Sequence, residues 1–135
     1  MRGDGTAAYG PELGLKKFVR EFVYRAGAGF TVSDEVETTS PAVLTFLLHA
    51  DNHIDKESAN RFSIKAGGVK LLIDPTIEQP ASTQIQSVIE TNTLTAPGPP
   101  GAVDKGERQE RGQKLSLSTP ATTRARFIMR LSIED

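Results

Sequence analysis

Arg124-Ala125-Arg126-Phe127-Ile128-Met129-Arg130-Leu131-Ser132-Ile133-Glu134 is the stretch that decides the fold class. Ala125, Phe127, Met129, Leu131 and Ile133 alternate with Arg124, Arg126, Arg130, Ser132 and Glu134, and Ile128 is the one apolar residue of the second set. Residues two apart share a face of a strand, so the pattern predicts a β-strand with one face for a core and the other mostly for water. Such a strand needs partners, and the chain upstream offers them. Leu115 and Leu117 mark a short strand, and Ile85, Val88 and Ile89 mark a weaker one within Gln84 to Thr91. Phe62-Ser63-Ile64 and Val69-Lys70-Leu71-Leu72-Ile73 are joined through Ala66-Gly67-Gly68, whose glycines can supply the positive φ values of a tight hairpin. Asp74-Pro75 reads as the end of that strand.

Further upstream, Ser40-Pro41 breaks the chain before Ala42 to His49, where Val43, Leu44, Phe46, Leu47 and Leu48 form the near-continuous apolar run expected of a buried central strand. Leu15 to Tyr24 carries Phe18, Phe22 and Tyr24 on one side and Leu15, Val19 and Val23 on the other. Ala26-Gly27-Ala28-Gly29 then turns the chain into Phe30, Val32 and Val36, a second hairpin. The first half thus reads as a three-stranded meander. No segment shows a sustained helical stripe with caps at both ends. About eight short strands with turn signals between them favour an all-β, two-sheet antiparallel β-sandwich over alternating strands and helices.

The 135 residues suit a single domain with one core, residues 1–135. A Pro/Gly-rich and charged connection at 91–112, running through Thr95-Ala96-Pro97-Gly98-Pro99-Pro100-Gly101, is expected as a long surface loop. The hydrophobic fraction of 37% and charged fraction of 24% are those of a folding chain, not a disordered one. A net charge of -1 provides no field to gather nucleic acid or an anionic membrane, and no apolar run is long enough to span a bilayer. Neither nucleic acid nor membrane is therefore an expected partner. Met1-Arg2-Gly3-Asp4-Gly5-Thr6 lacks the apolar stretch of a secretory signal, and so polar a start is what a segment of a larger protein would show.

Without cysteine the chain has no thiolate ligand or cysteine nucleophile. His49, Asp51, His53 and Asp55 alternate just beyond an apolar strand and could share a divalent ion if the strand continued, but the polar sequence after Leu48 reads as a loop. No metal or other cofactor is expected. No serine or threonine sits in a glycine-framed elbow, and no glycine run opens a helix as a phosphate loop does. Asp34, Glu35, Glu37, Asp51 and Asp55 cannot be paired across a cleft from sequence, so no catalytic residue is assigned. The phenylalanines read mostly as core, which leaves few aromatic platforms for sugar rings.

One surface feature suits a polyanion. Arg124, Arg126 and Arg130 fall on the wet face of the last strand, where guanidinium groups could meet the carboxylates or sulfates of an acidic polysaccharide. The competing expectation is cross-strand pairing with Glu21 and other acidic neighbours.

Asp4-Gly5-Thr6-Ala7-Ala8-Tyr9, Lys17-Phe18-Val19-Arg20-Glu21-Phe22-Val23-Tyr24 and Phe30-Thr31-Val32-Ser33-Asp34-Glu35-Val36-Glu37 together resemble the C-terminal β-sandwich region of heparinase II/III-like polysaccharide lyases. Pro41, Phe46-Leu47-Leu48-His49, the Phe62 to Ile73 hairpin, Arg108-Gln109 and Ala125-Arg126-Phe127 extend the resemblance over most of the chain. It implies a domain that follows a helical toroid, in proteins that cleave acidic polysaccharides by β-elimination in the periplasm or outside the cell. The family's catalytic tyrosine and histidine precede this region, and no position here matches those motifs. His49 resembles a structural histidine at a strand end. The resemblance thus implies an accessory sandwich, inactive alone, with a toroid domain or subunit as partner. A stand-alone module for acidic polysaccharides is the alternative.

Overall fold

The computed structural model describes residues 1–81, 84–95 and 108–134. In chain order the strands are β1 (Arg2–Asp4), β2 (Leu15–Arg25), β3 (Gly29–Ala42), β4 (Thr45–Ala50), β5 (Ile54–Ser58), β6 (Arg61–Ala66), β7 (Val69–Gln79), β8 (Gln86–Thr95), β9 (Arg108–Ser118) and β10 (Thr122–Glu134). Short 3₁₀ turns at Thr6–Ala8 and Pro11–Leu13 carry the chain from β1 to β2. Two antiparallel sheets result. Among the described residues one has seven strands in the order β1-β2-β3-β10-β7-β6-β5, and the other has three in the order β4-β9-β8. The all-β sandwich is therefore the observed fold.

β10 lies at the centre of the large sheet, between β3 and β7, and its alternation sets the core. Ala125, Phe127 and Met129 turn inward with Val32 of β3, Ile73 and Ile77 of β7 and Phe62 of β6. Phe46 of β4 and Leu115 and Leu117 of β9 meet them from the small sheet. Ile128, on the opposite side of β10, is buried as well, but beneath the outer face and apart from this cluster. The glycine hairpin forms as expected, with φ of 57° at Gly67 and 86° at Gly68.

Four expectations need correction. The first half is not a meander, because β3 pairs with β2 and β10 while β4 crosses to the other sheet and pairs with β9. β4 is an edge strand, and its burial alternates. Phe46 is 7% exposed and its neighbour Leu47 48%, so the apolar run signals two apolar faces rather than a central position. Pro75 does not end β7, which pairs with β10 as far as Gln79. β6 pairs no residue of β7 past Ile73, so Pro75 sits where one side of the strand has no ladder to break. The 91–112 connection is shorter than expected, since β8 runs to Thr95 and β9 begins at Arg108. Its remaining residues, 96–107, lie outside the described ones.

Three strands cannot cover seven, and the small sheet is not centred over the large one. At the β5 end the layers are joined: Lys56 Nζ donates to Ser87 Oγ at 3.1 Å, and the Ile54 amide donates to Gln113 Oε1 at 2.6 Å. At the other end the small sheet stops at β4, and the inner face of β2 and the adjoining end of β3 run on past it.

Candidate functional site

The uncovered inner face is built by the β2–β3 hairpin. Its register places Tyr24 opposite Phe30, Phe22 opposite Val32, Arg20 opposite Asp34 and Phe18 opposite Val36. All of these point to the side on which the core lies, yet Phe22, Tyr24 and Phe30 are 39%, 64% and 50% exposed because nothing described packs over them. The Tyr24 and Phe30 rings lie against each other with centroids 4.8 Å apart. Phe22 and Phe30 are thus not core residues, contrary to the expectation from their hydrophobicity. Their side of the strand was legible in the period-two pattern, but whether a second sheet reaches them was not.

At the boundary between covered and uncovered surface stands a charged pair. Asp34 is only 4% exposed, and it accepts from Arg20 Nε and Nη2 at 2.6 Å each. The hydrogen-bonded carboxylate raises the Arg20 pKa still further above its ordinary value. The guanidinium carbon also lies over the Phe46 ring at 5.2 Å from its centroid and over the Phe18 ring at 5.7 Å, within cation–π range of both. Around the pair opens a cavity of about 430 Å3, lined among others by Tyr9, Leu13, Phe18, Leu44 and Phe46. A second, of about 340 Å3, adjoins it over β1 and shares Phe18 and Arg20. The chain before β2 forms the rim: the Gly5 amide donates to Phe18 O, the Phe18 amide donates to Thr6 Oγ1, and Tyr9 meets Phe18 edge-on at 6.0 Å. The result is a largely apolar groove with a neutralised ion pair in its floor.

The sequence did carry a signal for that pair. Arg20 and Asp34 each interrupt an apolar face, and they do so at matching distances from the Ala26-Gly27-Ala28 turn. Taken with Glu35, Glu37, Asp51 and Asp55, Asp34 is in sequence one of several carboxylates that cannot be paired across a cleft.

The outer face holds Arg124, Arg126 and Arg130. Arg124 Nη2 lies 2.8 Å from Glu37 and 3.5 Å from Glu35, and Arg126 Nη1 lies 3.0 Å from Glu78. Lys17, hydrogen-bonded to Glu35, holds that carboxyl below the usual carboxylate range, with Arg124 adding to the effect. Arg130 makes no ion pair among the described residues. Its register neighbour Asp74 is held by Arg61 Nε and Nη2 at 2.6 and 3.0 Å. Glu21 is not a partner of the stripe, since β3 separates its strand from β10. The outer face is a checkerboard of alternating charge.

The histidine segment divides between the two sheets. His49 is on β4, with Nδ1 3.4 Å from Asn92 Nδ2, whereas His53 Nε2 lies 3.4 Å from Asp55 Oδ1 at the start of β5. The chain changes sheet between β4 and β5, so His49 stays with the small sheet while the His53–Asp55 pair stands at the start of β5 in the large one. Among the described residues no three histidine, aspartate or glutamate side chains converge as metal ligands. No described helix is long and apolar enough to cross a membrane. No protein-family model matches the chain, and no curated protein matches it in sequence.

Proposed function

We propose that the chain is a non-catalytic accessory β-sandwich that docks, through the uncovered inner face of β2 and β3, onto another part of a polysaccharide-lyase-like protein. The partner implied by the resemblance to the distal region of heparinase II/III-like lyases is a helical toroid domain or subunit. The observation that carries this reading is the apolar inner face past β4, with Phe22, Tyr24 and Phe30 exposed and Phe22 lining the cavity over β1. Contiguous apolar surface rimmed by polar groups is favoured at interaction sites, because its burial is worth about 25 cal/mol per Å2. Residues for proton abstraction lend no support to catalysis: the two histidines lie 3.4 Å from Asn92 and Asp55, respectively, and neither is hydrogen-bonded to a tyrosine among the described residues. The alternative, a stand-alone module for acidic polysaccharides, has less support because Arg124 and Arg126 already face carboxylates.

Reconstitution tests the reading. The purified chain alone is expected to release no unsaturated uronic ends from heparin, heparan sulfate or alginate. Mixed with a helical lyase domain encoded beside it, it is expected to co-elute from a sizing column, and Phe22→Ser/Phe30→Ser is expected to abolish co-elution. Sustained product formation by the chain alone, or co-elution indifferent to those two substitutions, would overturn it.

A further inference from the structure

We infer that the partner engages this face as an added strand: an extended polypeptide segment, apolar at alternate residues, that pairs with the open edge of β4 and lies over Phe18, Arg20 and Phe22. The inference rests on the docking reading and specifies its chemistry.

The edge itself is defined by hydrogen bonds. The Thr119 amide donates to Leu44 O at 3.0 Å, and the register then runs Thr45–Ser118, Phe46–Leu117, Leu47–Ser116, Leu48–Leu115 and His49–Lys114. In an antiparallel ladder hydrogen-bonded and non-bonded pairs alternate. Phe46 and Leu48 therefore face β9 with their amides and carbonyls, while Thr45, Leu47 and His49 turn theirs outward, where no described strand pairs with them. The exposed sheet edges elsewhere carry protection that β4 lacks. β1 is three residues long, β5 has Asp55, Lys56 and Glu57 with a bulge, and β8 has Glu90 and a bulge. Thr45-Phe46-Leu47-Leu48-His49-Ala50 contains neither proline nor an acidic or lysine side chain, and it has no bulge.

A strand added to β4 would sit about 4.8 Å from it and about 10 Å above the large sheet, in the layer where the small sheet stops. Its inward side chains would enter the cavity of about 430 Å3 and its neighbour over β1. Asp34 already matches the charge of Arg20, so the floor selects uncharged, apolar side chains. Arg20 Nη1 donates no hydrogen bond among the described residues and remains for a carbonyl or hydroxyl oxygen of the segment. A second copy of this chain does not fit. Antiparallel pairing of two β4 edges places the two large sheets in one layer, and each already extends past its own β4 through β2 and β1. A lone extended segment has no second sheet to collide.

The test uses the whole chain and a library of octapeptides with valine, leucine, isoleucine or phenylalanine at odd positions and threonine, serine or glutamine at even ones. Selected peptides are expected to bind by fluorescence anisotropy. Leu47→Pro removes an outward amide without touching the β4–β9 ladder, and it is expected to weaken binding by at least about tenfold. The same peptides N-methylated at alternate residues should lose binding equally, which keeps the test decisive if Leu47→Pro fails to fold. Absence of any binder overturns the inference, and so does binding of a heparin oligosaccharide to this face in place of peptides. Binding that ignores N-methylation but is lost in Phe22→Ser/Phe30→Ser overturns strand addition and leaves the docking face standing. Binding that ignores the face substitutions too defeats both.

Discussion

Phe62→Ala is expected to lower the free energy of unfolding by about 3–5 kcal/mol, the range for a phenylalanine truncated in a core. Phe62 is 0% exposed, stands opposite Ile73 in the β6–β7 hairpin and belongs to the cluster that also holds Met129 and Leu115. Neighbouring strands fix the backbone on both sides, so the site collapses little and the cavity persists. Against a total stability of about 5–15 kcal/mol for a domain, the variant should be marginal or unfolded at moderate temperature. Phe30→Ala is the matched control. Phe30 is half exposed on the uncovered face, so its truncation should cost less than about 1 kcal/mol, in line with surface positions. Urea denaturation of the two variants checks the contrast, and equal losses would mean that the inner face of β3 is covered after all.

Arg20→Ala is expected to destabilise by about 3 kcal/mol, the low end for breaking a buried pair, since the guanidinium retains some contact with water. The harm lies in what remains: Asp34, 4% exposed, keeps a buried carboxylate that has lost both of the side-chain donors it has among the described residues. Replacing both members, as in Arg20→Met with Asp34→Leu, should cost less than the single change, because no uncompensated charge is left behind. A double substitution worse than Arg20→Ala alone would mean that the pair contributes net stability rather than a neutral floor.

These two sites also mark how far the sequence could be read. The alternation of β10 and the Gly67-Gly68 turn are local properties, and both strands and hairpin form where they were expected. Locality fails where the partner strand matters. Phe46 and Leu47 are equally apolar in sequence, and only the choice of β9 as neighbour makes one core and the other surface. Short, charged β5 carried no strand signal, because Ile54 is its one buried residue and the rest of its ladder rests on pairing with β6. The Arg20–Asp34 pair was encoded in the hairpin register, but the uncovered face depends on how far the small sheet extends. That is a long-range fact, set by β4 leaving β3 for β9, with no counterpart in local pattern.

Docking through β2 and β3 requires that the inner face of β2 be open in the chain alone, and the absence of cysteine makes that openness directly measurable. Single thiols placed at Phe22→Cys, Val88→Cys and Ala125→Cys can be timed against a soluble disulfide reagent. Val88 is 53% exposed on the small sheet and Ala125 is 0% exposed in the core. Phe22→Cys is expected to react at a rate within about threefold of Val88→Cys, while Ala125→Cys waits for unfolding and is slower by orders of magnitude. A Phe22→Cys thiol as slow as Ala125→Cys would show the face to be covered in the chain alone and would rule out docking through an open β2 face.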